Sequence, residues 1–125
     1  MESGVHIKSH RDLIAWQKAM DLVVAVYQVT KPFPKDETYG LTSQMRQAAV
    51  SVPANIAEGQ GRRQKGEYRQ FLGNARGSLL ELDTHLELAL RLEDIDRRQH
   101  AIILEQVQEV GRLVNGLLRS LSTNL

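Results

Sequence analysis

The sequence predicts an all-α protein, an antiparallel up-down-up-down four-helix bundle whose second helix is kinked at Pro53. Three observations carry this. Four segments repeat apolar residues at alternating steps of three and four, the spacing of one face of an α-helix. Short stretches rich in Pro, Gly or acidic residues separate them, so sequential helices must run antiparallel. Period-two alternation, the mark of a half-buried strand, is absent beyond trivial runs. A chain of 125 residues with 42% hydrophobic and 25% charged residues supports one domain with one core.

The first segment runs from about Asp12 to Lys31. Leu13, Trp16, Met20, Val23 and Tyr27 form its stripe, and Leu22, Val26 and Val29 widen it over much of the circumference. Asp12 suits the N-cap, and Pro32 disfavours helix at Lys31. The second begins between Pro34 and Thr42, with Asp36 and Glu37 placed for a first turn if Pro34 opens it. Its stripe is Met45, Ala49, Val52, Ile56 and Gly59, in phase on both sides of Pro53. The proline removes the bond to the Ala49 carbonyl, which is the source of the expected kink. Gly59 and Gly61 end the segment.

The third segment, about Lys65 to Leu92, carries Tyr68, Leu72, Ala75, Leu79, Leu82, Leu86 and Ala89. The fourth carries Ile103, Val107, Val110, Val114, Leu117 and Leu121, and Asp96 with Gln99 has capping-box spacing at its start. Residues 1–11 read as a flexible arm, 12–121 as the bundle and 122–125 as a frayed end. Gly73, Gly77, Gly111 and Gly116 fall inside predicted helices at a cost of about 1 kcal/mol each relative to Ala, which tight helix–helix approach would explain.

Several chemistries are disfavoured. With no cysteine, disulfides, zinc–cysteine sites, iron–sulfur clusters and thiol catalysis are excluded. A di-iron bundle needs Glu-x-x-His on two helices, and that motif does not occur; Glu81 and His85 are four apart on one helix and read as a solvated pair. His6 and His10 fall in the arm. Gly59-Gln60-Gly61 looks like a phosphate loop but follows a helix, not a strand. No nucleophile elbow or dinucleotide fingerprint is present. The expectation is a protein without catalytic residues, metal or cofactor. No apolar run approaches the roughly 20 residues of a membrane span, and the N-terminus has no apolar signal region, so a cytoplasmic protein is expected.

Two features point to partners. Beside the apolar stripe of the second helix runs a small or polar one: Gln44, Ala48, Ser51, Asn55 and Glu58. It suits a subunit contact or an inter-helix polar seam. Charge is also segregated, although 16 basic residues balance 15 acidic ones. Arg62, Arg63, Lys65, Arg69 and Arg76 cluster where the second helix turns into the third, and Arg46 extends the set. Acids dominate from Glu81 to Asp96. A basic cluster at a turn can hold the phosphates of RNA or DNA, or dock on an acidic protein surface.

The order Leu13-x-x-Trp16-Gln17-Lys18-Ala19, Phe33-Pro34-x-x-Glu37-x-Tyr39-Gly40-Leu41-Thr42-Ser43-Gln44, Ala48 to Gly59, and Gly77-Ser78-Leu79-x-Glu81-Leu82 resembles the 23S ribosomal RNA intervening-sequence protein family, from Asp12 to Leu121. The chain departs from it at Gln47, where the family often has Arg beside the position of Arg46. The resemblance implies a bacterial four-helix bundle that assembles into a cyclic homo-oligomer, commonly a pentamer, with no established catalytic residues. A related bundle, the accessory variability protein of diversity-generating retroelements, binds nucleic acid and a reverse transcriptase. By that analogy the leading expectation is a non-enzymatic, oligomeric binder of structured RNA or DNA; the alternative is a protein-interaction scaffold.

Overall fold

The structure is a computed structural model and describes residues 7–122, with the side chain of Ser122 outside the description. The histidine at 6 and the ends of the expected arm and tail, residues 1–6 and 123–125, lie outside the described residues. Within them the chain forms four helices: α1 (Ile14–Thr30), α2 (Leu41–Gln60), α3 (Lys65–Arg91) and α4 (Arg97–Ser122). Two short 3-10 turns, His10–Asp12 and Lys35–Glu37, precede α1 and α2. No strand occurs among the described residues. Helix α2 packs on α1 and α3, and α4 packs on α3 and α1, which closes the bundle.

The packed body starts before Asp12. Ile7 lies against the core, and Ser9 caps the turn that follows it, accepting from the Arg11 N–H while the Asp12 carboxylate accepts from the N–H groups of Lys8 and Ser9. Asp12 therefore caps that turn and not α1. Helix α1 follows Leu13, whose side chain is buried and offers no cap.

The core of α1 is rotated by one residue from the expected stripe. Ala15, Ala19, Leu22, Val26 and Thr30 face inward. Met20 and Tyr27 are 41% and 42% exposed, and Trp16 and Val23 are half-buried. A helix apolar around most of its circumference carries two equivalent registers, and here the small Ala15 and Ala19 take the inside. Thr30 tolerates burial because its hydroxyl donates to the Val26 carbonyl at 2.7 Å.

The other stripes face the core as expected. Met45, Ala49, Val52, Ile56 and Gly59 are buried on α2, Leu72 through Ala89 on α3, and Ile103, Val107, Val110 and Val114 on α4. Helix α2 is helical on both sides of a buried Pro53. Helix α3 ends with Glu93 in the left-handed region at φ 64°, the Asp94 N–H reaching the Ala89 carbonyl and the Glu93 N–H the Leu90 carbonyl. Asp96 and Gln99 then form the capping box: the Gln99 N–H donates to Asp96 at 2.7 Å, and the Asp96 N–H to Gln99 at 2.9 Å.

Tight approach occurs at a different glycine from those expected. A Cβ on Gly73, Gly77 or Gly111 would meet nothing within 4 Å, and one on Gly116 would meet the end of Arg119 at 3.8 Å. A Cβ on Gly59 would lie 2.9 Å from the Tyr68 ring and 3.2 Å from the Tyr68 carbonyl. Gly59 thus lets α2 lie close against the start of α3, while the others are spared for no packing reason.

Candidate nucleic-acid interface

The small-polar stripe of α2 divides between two surroundings. Ala48 is buried, and Ser51 accepts a 2.8 Å hydrogen bond from Ser78 on α3. Asn55 donates to both the Ser51 hydroxyl and carbonyl. Ser51, Asn55 and Ser78 thus make a polar seam between α2 and α3. Gln44 and Glu58, at its ends, are exposed, and Glu58 pairs with Arg62 at 3.3 Å. His85 sits two turns beyond Ser78 on the same face of α3. Its buried Nδ1 has no partner; burial holds its pKa below 6.5, opposed in part by the Glu81 carboxylate. Further on, Arg91 donates to Glu87 at 2.9 Å and holds that carboxylate below its ordinary range, helped by His100 of α4.

The cations expected to act together separate into three groups. Arg46 lies near the far end of α2. Its Nε donates to the Thr30 hydroxyl at 2.9 Å, and its guanidinium stacks 4.5 Å from the Tyr27 ring centre. It ties α2 to α1 and is not part of the basic end. Arg62 belongs to that end but is drawn down by Glu58 and lies over the Phe71 ring at 4.7 Å. Arg63, Lys65, Arg69 and Arg76 are exposed. Lys65 opens α3, whose N-cap residue Gln64 makes no side-chain cap, so unpaired backbone N–H groups add positive potential there.

Arg69 and Arg76, seven residues apart on α3, line one shallow groove with Gly73, and the far wall is Asn115, Leu118 and Arg119 of α4. The sequence reading missed Arg119 and Asn115. The signal was available: antiparallel packing sets the first turns of α3 beside the last turns of α4. No group of three or more His, Cys, Asp or Glu among the described residues could hold a metal ion, and no described helix is long and apolar enough to cross a membrane.

A four-helix bundle with an exposed basic cluster at the start of its third helix is the class of protein that this geometry defines. The family model for 23S rRNA-intervening sequence protein matches residues 11–116, and the chain belongs to that family. It is also similar to the 1.70 Å crystal structure of a protein with unknown function from the S23 ribosomal protein family of Bacteroides thetaiotaomicron VPI-5482. The TM-score is 0.77 at 21% identity, over 85% of this chain and 99% of that one, which shows a shared fold. No curated protein matches the chain.

Proposed function

We propose that the protein is a non-enzymatic, oligomeric bundle that binds structured RNA or duplex DNA through its basic end. The observation that carries this is the groove in which Arg69 and Arg76 of α3 meet Arg119 of α4 around the bare backbone of Gly73. Arginines on two helices can grip a phosphate backbone from two sides, and a glycine between them admits close approach. The aromatic residues nearest the patch, Tyr68 and Phe71, are half-buried, so the surface offers phosphate contacts without stacking platforms. The family's description, which names a ribosomal RNA insertion, is compatible with an RNA partner. A ring, with a pentamer the expected form, would repeat the patch and add weak contacts by multivalency.

The test is an anisotropy titration with structured RNA and duplex DNA at about 50 and 200 mM salt, a range over which phosphate contacts weaken steeply. Charge reversal at Arg63, Arg69 and Arg76 is expected to abolish binding without changing the oligomer's mass. Binding that is insensitive to salt and to these changes would overturn the reading. A second reading, a protein-interaction scaffold, draws on Leu80 and Leu88 on α3 and Leu92 just after it, which stand exposed. It gains if the wild type shows no affinity at the lower salt.

A further inference from the structure

The groove between α3 and α4 holds one group that a phosphate cannot use. Its walls carry Arg69, Arg76, Asn115, Leu118 and Arg119 around Gly73. Guanidinium groups only donate hydrogen bonds, and ionised phosphate oxygens only accept them. The Asn115 carboxamide both donates and accepts. Asn115 is half-buried, and both of its amide atoms are open to solvent with no hydrogen bond to another described residue. It therefore presents an uncommitted acceptor to whatever lies between the arginines.

The fold makes no demand for an asparagine at this position. Asn115 and Gly116 follow one another inside α4, and both are poor helix formers. A Cβ on Gly116 would meet the end of Arg119 at an ordinary 3.8 Å, so close packing does not require the glycine either.

The shape of the groove decides which ligand group reaches the amide. A shallow concave surface receives the convex sugar–phosphate ridge of a duplex. Base edges lie within the nucleic acid's own grooves, and reading them takes a protruding helix or strand. Arg69 and Arg76 are about 10 Å apart by helix rise along α3, a span that takes in a sugar and the phosphates on either side of it. Within a strand, only ribose carries a free hydroxyl at that place.

Resting on the reading of this groove as the nucleic-acid site, we infer that Asn115 is the residue that selects RNA over DNA. Its amide oxygen accepts a hydrogen bond from a ribose 2′-hydroxyl while the arginines hold the adjoining phosphates. The preferred ligand is double-stranded RNA, and DNA binds through the phosphate contacts alone. The preference carries no base sequence. Because the added contact is neutral, the salt dependence stays with the arginines.

The test is an anisotropy titration of the intact protein with three duplexes of one sequence: RNA, DNA, and RNA with 2′-fluoro sugars. The 2′-fluoro duplex keeps the A-form and lacks the hydroxyl. Wild type is expected to bind RNA about fivefold to tenfold tighter than the 2′-fluoro duplex, the effect of one net hydrogen bond. N115A raises helix propensity and so keeps α4 intact; it lowers RNA affinity to that of the 2′-fluoro duplex and leaves the other two unchanged. The slope of affinity against salt is the same in wild type and N115A, whereas Arg69→Glu with Arg76→Glu reduces it and weakens all three duplexes. Equal wild-type affinity for RNA and its 2′-fluoro form, or a preference that survives N115A, overturns the inference and leaves the groove standing as a phosphate site. N115A weakening all three duplexes alike gives the residue a structural role and overturns it too. So does an affinity that follows base sequence, which would put the amide on base edges. If none of the duplexes binds at about 50 mM salt, the groove reading itself fails, and this inference with it.

Discussion

The two flanks of the bundle are built on different principles. Between α2 and α3 small residues of α2 make the contact: Ser51 meets Ser78, and Gly59 lies against Tyr68 and Phe71. The helices approach closely enough for serine hydroxyls to bond across the seam, and this is the most extensive helix contact in the molecule. Between α1 and α4 the contact is the least extensive of the four, and an open depression lined by Ala25, Val29, Gln99, Ile102, Ile103 and Gln106 remains, with the buried Gln106 carbonyl oxygen unpaired. Small side chains convert directly into backbone proximity and a fixed register, whereas branched aliphatics fill space and leave relative position less constrained.

Breaking the close flank gives the largest expected effect. Gly59→Val places a branched side chain against the Tyr68 carbonyl and ring, and is expected to cost about 3 kcal/mol in chemical denaturation. Gly59→Ala costs less, because its gain in helix propensity offsets part of the clash. An unchanged midpoint for the valine variant would mean that the flank is not closely packed.

The contrast within one residue type comes next. Gly73→Ala and Gly77→Ala fill open space on the outer face of α3, so each is expected to stabilise the fold by about 0.5–1 kcal/mol. Only the first lies in the arginine groove. If bare backbone there serves ligand approach, Gly73→Ala weakens nucleic-acid binding while Gly77→Ala does not, and thermal melting beside anisotropy reads both effects.

The smallest effect is a pH dependence at the close flank. Because burial lowers the His85 pKa below 6.5, the folded state binds its proton less readily than the unfolded chain. Stability contributed by neutral His85 is therefore complete above about pH 7 and declines as pH falls through 6.5 towards the lowered folded value. His85→Gln should flatten denaturation midpoints measured between about pH 5 and 7. An identical slope in wild type and variant would assign the dependence elsewhere.

Most of the secondary structure was legible in the residues. The stripes of α2, α3 and α4 each had one dominant apolar face, so periodicity alone set which side is buried, and the reciprocal geometry of Asp96 and Gln99 is local enough to read from spacing. Helix α1 was not legible in the same way, because its residues permit two faces and only contact with α2 and α4 selects Ala15, Ala19, Leu22 and Val26. The glycines show the same limit: spacing cannot tell a glycine that admits a neighbour, such as Gly59, from one on an open face, such as Gly73.

The charged residues mark where local information stops. Segregation of basic and acidic residues along α3 is a property of the sequence, and it puts cations at one end of any antiparallel bundle. Which cations cooperate is a property of the packing. Arg46 is taken by Thr30 and Tyr27 of α1, Arg62 by Glu58 and Phe71, and Arg119 joins Arg69 and Arg76 from 43 residues beyond the nearer of them. Helix periodicity acts over a few residues and is written into the chain. The partners of a long, flexible guanidinium depend on which helices become neighbours, and only the tertiary structure decides that.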